Sequence, residues 1–124
     1  DDVELAQCAL QTVLSIGLSK PAAAKLTAEA IAGPLAVRLI KAGLTVTQVV
    51  DRALEAIHAC GLEGGGVESI LVAKASVRAI AECKARQGAS PSSVVRSGLC
   101  AARKAGVSEE QTRRIVTKEA VRAV

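Results

Sequence analysis

The chain contains no Phe, Trp, Tyr or Met. An average domain of its 124 residues would carry about ten aromatics. Their absence removes the flat platforms on which bases, sugars and planar cofactors stack. It also leaves Ala, Val, Ile and Leu to build the core, in a chain that is 50% apolar. Ala-rich faces let helices approach toward the short end of the roughly 8–10 Å range of interaxial spacing.

Histidine is nearly absent too. His58 is the only one, which excludes a His-rich metal site. The four cysteines, Cys8, Cys60, Cys83 and Cys100, fall nowhere near the C-x2-C spacing that zinc sites favour. Cys60 and His58 lie two residues apart, so a helix points them to different faces. The run Gly64-Gly65-Gly66 lacks the phosphate-loop pattern G-x-x-x-x-G-K-[ST] and reads as a turn. No catalytic residue, metal ligand or cofactor site is expected. Lys, Arg or Glu interrupts every apolar run, so no membrane span is expected.

The chain begins Asp1-Asp2 and has no Met anywhere. That is expected of a processed product, and a removed secretory leader is one route to it. An even number of cysteines suits an oxidising, extracellular compartment, with disulfides among Cys8, Cys60, Cys83 and Cys100. The other reading of the same residues is as small buried hydrophobes.

What the sequence does contain is helix punctuation. Residues 3–16 place Leu5, Ala6, Ala9, Leu10 and Val13 on one helical face, and Gly17 follows. Asp1-x-x-Glu4 is a variant capping box at its start. Ser19 caps a second helix with Pro21 in its first turn, and Pro34 predicts a kink or break inside it. Thr45-x-x-Gln48 is a capping box ahead of a stripe of Val46, Val49, Val50, Ala53, Leu54 and Ile57. A fourth helix carries Val67, Ile70, Ala73, Val77, Ile80 and Ala81 inward. Ser90-Pro91 opens a fifth, with Val94, Val95, Leu99 and Ala102 inward. Ser108-x-x-Gln111 opens a sixth as a second capping box, with Ile115, Val116, Ala120 and Val121 inward.

These segments repeat. At an offset of 45, Gly43 matches Gly88, Val49-Val50 matches Val94-Val95, Leu54 matches Leu99, Gly61 matches Gly106 and Ile70 matches Ile115. At an offset of 44, Leu10 matches Leu54, Gly17 matches Gly61 and Leu26 matches Ile70. The fold class expected is all-α, one domain over 1–124. It holds three tandem helical hairpins, about six helices, with repeats near 1–42, 43–87 and 88–124. A period of this length suits a short solenoid-like array of two-helix units; a compact helical bundle is the alternative.

Solenoids normally finish in polar capping repeats, and neither end here reads as one. Charge divides unevenly as well. Residues 1–73 hold five bases against eight acids, and 74–124 hold eleven against four, so the halves are −3 and +7 and sum to +4. The head carries Asp1, Asp2 and Glu4; the tail carries Arg113, Arg114, Lys118 and Arg122. An open apolar end and opposite charge together predict a non-enzymatic, self-assembling structural protein, a secreted filament or matrix subunit joined head to tail. Two alternatives follow from the same features. One is a solenoid-type scaffold that binds a protein partner. The other is a basic nucleic-acid binder using the Arg114, Lys118 and Arg122 stripe on phosphates, with nothing to read bases.

Overall fold

Glycine and hydroxyl residues fix where each helix starts and stops. The computed structural model describes residues 2–61 and 66–123. Within them α1 spans Asp2–Leu14, α2 Lys20–Lys41, α3 Val46–His58, α4 Val67–Arg86 and α5 Pro91–Ala105. The sixth arm starts as α6 (Glu109–Ile115), passes through a π-helical turn (Val116–Ala120) and ends in a last turn, α7 (Val121–Ala123). No strand occurs among the described residues. The chain is all-α, three tandem hairpins.

A glycine at positive φ follows the end of each helix from α1 to α5. After α2, Gly43 N–H donates to Ile40 O at 3.0 Å and Leu44 N–H to Leu39 O at 3.4 Å. After α4, Gly88 N–H donates to Ala85 O at 3.1 Å and Ala89 N–H to Lys84 O at 3.0 Å. Both are Schellman closures, which need a left-handed residue, and Gly43 and Gly88 have φ of 87° and 78°. Leu44 and Ala89, one residue on, fold back against the core. After the shorter arms α1, α3 and α5, Gly17 N–H donates to Leu14 O, Gly61 N–H to His58 O and Gly106 N–H to Arg103 O.

The odd helices α1, α3 and α5 pack in series, and so do α2, α4 and the sixth arm. α4 is the hub, touching α2, α3, α5 and the sixth arm, and its contact with α5 is the broadest. Marginal contacts aside, the first hairpin touches only the second among the described residues. The main core runs across all three hairpins and includes Leu35, Leu39, Val49, Val50, Ile57, Val72, Val77, Val94 and Ile115. A second, small cluster of Leu10, Ala23 and Ala24 belongs to the first hairpin alone.

Gly98 shows how close the helices come. A Cβ there would stand 3.3 Å from Val77 Cγ1, 3.5 Å from Ala120 Cβ and 3.7 Å from Val116 Cγ1. The inner stripe of α5 therefore lies between α4 of the preceding hairpin and the sixth arm of its own.

Several local expectations are corrected. Pro34 does not break α2, which is continuous over 22 residues. The carbonyl deprived of its donor belongs to Ala30, and both Ala30 and Pro34 are exposed, so the break in the ladder lies on the solvent side of the helix. The proline's cost of about 3 kcal/mol is offset by burying Leu35 and Leu39 just beyond it, each worth about 1.5–3 kcal/mol. Ser19 occupies the N-cap of α2 but makes no side-chain cap bond. Thr45 and Gln48 form the full reciprocal box, whereas Ser108 only accepts from Gln111 N–H at 3.2 Å. Leu5, Val67 and Val121 are exposed, not inward. Asp1 and Gly64-Gly65 lie outside the described residues.

The caps give a paired expectation. Thr45→Ala should lower unfolding free energy by about 1 kcal/mol, while Ser19→Ala should change it by no more than a few tenths, both read by urea denaturation. The two helix-interior glycines behave oppositely. Gly33 has open space around an added Cβ, so Gly33→Ala should stabilise by about 0.5–1 kcal/mol. Gly98→Val should destabilise by about 1–3 kcal/mol through overpacking against Val77.

Candidate functional site

Chemistry-bearing side chains do not converge. Among the described residues no three His, Cys, Asp or Glu side chains stand close enough to share a metal ion. His58 sits in the last turn of α3, where a protonated ring favours the carbonyl end. Its Nδ1 lies 3.2 Å from Oε2 of Glu68 in the first turn of α4. The pair bridges the hairpin turn, at an exposed site.

The four cysteines are free thiols, so the expected disulfides are not formed. They lie on different helical segments: Cys8 on α1, Cys60 in the turn after α3, Cys83 on α4 and Cys100 on α5. Cys60 is buried, its Sγ donates to Ala56 O at 3.7 Å, and burial pushes its pKa up. A nucleophilic thiol needs the opposite shift.

A groove of about 530 Å³ lies between α2 and α4. Its floor is Ala32, Gly33, Ala75 and Ala79, and its rim carries Glu29, Lys74, Arg78, Glu82 and Glu119. Arg78 and Glu82 pair across one turn at 3.3 Å. The groove is open and shallow, with no buried polar group aimed into it.

The outstanding surface is the outward face of the first hairpin. Leu5 is 49% exposed and Ile16 71%, and both lie on one stripe of α1 and its following turn. At the matching repeat positions, Val49 and Cys60 in the second hairpin are wholly buried, and Val94 and Ala105 in the third nearly so. The cause is visible at Gly98, on that same stripe of α5. There the stripe fits between its own long arm and the long arm of the hairpin before it. Val49 likewise shares a cleft with Ile40 of the preceding hairpin and Ile80 of its own. In the described chain α1 has no preceding long arm, so its stripe is half covered. Leu26 on α2 follows suit at 48% exposed, while its counterpart Ile115 is buried.

The charged residues expected to mediate contacts are partly engaged within the chain. Asp2 pairs with Arg38 at the far end of α2, which ties down the start of α1. Arg114 pairs with Glu110 at 2.8 Å. Arg103 and Lys104 pair with Glu109 and Asp51. Glu4, Arg113, Lys118 and Arg122 are exposed and have no ion-pair partner among the described residues. The π-helical turn falls between Arg114 and Arg122, so the basic residues do not follow a uniform α-helical stripe. The sequence pattern marks an uncapped apolar end but not the residues that stay exposed, because Leu5 and Ile16 have the same spacing as their buried counterparts.

Thiol burial orders reactivity. Cys8 and Cys100 should react at once with a chromogenic disulfide reagent, Cys83 more slowly, and Cys60 only on unfolding. Because the pKa of Cys60 is raised in the folded state, its contribution to stability is fully present below the ordinary thiol pKa. That contribution is lost as pH rises through the shifted value. Alkaline stability should therefore improve in Cys60→Ala relative to its own neutral-pH baseline, measured by thermal melts across pH.

No protein-family model, curated protein or solved structure matches this chain.

Proposed function

We propose that the protein is a non-enzymatic structural module, built of helical repeats, that acts by associating with further copies of itself. The observation that carries this reading is the contrast between Leu5 and Ile16, exposed, and Val49 and Cys60, buried at equivalent positions. A face with the pattern of an internal packing surface is left open to water. Each such side chain gains about 1.5–3 kcal/mol when fully covered. Function in this reading lies in a surface, which agrees with the scattered arrangement of His58 and the thiols.

A second reading has its own support. The groove between α2 and α4 has a small-residue floor and a rim of both charge signs, as a site for a helical protein segment would. The nucleic-acid reading is weaker. Arg103, Lys104 and Arg114 are already paired with acids, which leaves fewer free cations for phosphates.

Light scattering coupled to size exclusion, at rising protein concentration, tests the first reading. The expected result is an increase in mass that Leu5→Lys with Ile16→Lys abolishes. Raised salt should leave the association largely intact, because apolar burial drives it. A monomer at every concentration would sink the proposal. A monomer that binds a helical peptide along α2 and α4 would favour the scaffold.

A further inference from the structure

The sixth arm does not offer a surface complementary to the first-hairpin face. On α4, Val72, Ala73, Ser76 and Val77 are buried. At the same repeat positions, 45 residues on, the sixth arm carries Thr117, Lys118, Val121 and Arg122, all exposed. At these positions the sixth arm presents polar residues around a single valine. Seating Lys118 and Arg122 of one copy against Leu5 and Ile16 of another would strip water from two cations, with Glu4 the only unpaired acid on α1. Charge alone points head to tail; burial does not.

Resting on the reading that the protein self-associates through its first hairpin, we infer that the occupant of this face is the same face of a second copy. The two α1 helices lie antiparallel about a two-fold axis and form a closed dimer. An isologous contact of this kind uses each patch once and cannot propagate. Two features of the first hairpin support it. The stripe continues an interface already built twice within the chain, at α3 and at α5, so it has the shape and chemistry of a helix-packing surface.

Charge is also distributed for antiparallel pairing. α1 has its acids at its start and no base. The start of α2, beside the end of α1, carries Lys20 and Lys25, both exposed and without an acid partner among the described residues. Asp2 is held by Arg38, which leaves Glu4 available. Antiparallel pairing sets Glu4 of each copy toward the lysines of the other, whereas a parallel arrangement would set acid on acid. Cys8, exposed on α1 one turn after Leu5 and flanking the stripe, falls near the two-fold axis and serves as a reporter.

Sedimentation equilibrium of the full chain in reductant, with and without a short bismaleimide, tests the arrangement. The expected mass is that of two chains, with cross-linking that stops at two and disappears in Cys8→Ala. Glu4→Lys should weaken the dimer several-fold, and adding Lys20→Glu with Lys25→Glu should restore it. All these positions are exposed, and circular dichroism confirms that helicity is kept. Assemblies that grow beyond two chains and respond to Arg122→Glu would overturn the two-fold arrangement while leaving self-association standing. So would a dimer indifferent to the charge reversals. A monomer throughout would overturn both.

Discussion

Side-chain size is the constraint on which the structure depends. With nothing larger than Leu or Ile in the core, stability must come from bringing helices close, and closeness requires small residues where they cross. Gly98 marks the limit, with three neighbouring carbons inside van der Waals range of a missing methyl. The run of wholly buried alanines on α2, α3, α4 and α5 extends the same solution. Dispersion at short range replaces the large area that aromatic residues would have removed from water. Such packing depends on straight, well-terminated helices. Hence the investment in ends: Schellman closures at Gly43 and Gly88, and hydroxyl caps at Thr45, Ser90 and Ser108.

Much of this was legible in the sequence because it is encoded locally. Gly43 and Gly88 announce their helix ends, and Thr45-x-x-Gln48 announces a start, through bonds that span at most five residues. The hairpin order follows from the repeat of these signals. Legibility failed where distant neighbours decide. Pro34 sits on a solvent face, which no spacing rule reveals, and the helix survives it. Ser19 and Ser108 have the right identity but form none or half of the bonds their motifs allow. The π-helical turn at Val116–Ala120 has no sequence signal that we can identify, nor a physical cause in its surroundings. Asp2 and Arg38 are 36 positions apart, and their pairing is invisible until α1 is laid along α2.

The candidate surface illustrates the same limit in sharper form. Leu5 and Val49 occupy equivalent places in equivalent stripes, and sequence alone cannot distinguish a stripe that is covered from one that is not. The sixth arm is the reverse case. Read as periodicity it looks internal, yet Lys118 and Arg122 stand exposed at the repeat positions of residues that α4 buries. The polarity of the array therefore lies in apolar coverage more than in net charge.

The first hairpin has a further property. Its private cluster is only Leu10, Ala23 and Ala24, backed by Val13 and Leu14, and among the described residues its substantial neighbour is the second hairpin. In a chain of nearest-neighbour contacts, local opening costs least at a unit held on one side. The segment that carries the open face is thus also the one most readily released from the body. Any partner that covers Leu5 and Ile16 supplies the contacts that this unit lacks, so binding there and completing the fold of the first hairpin become a single, coupled equilibrium.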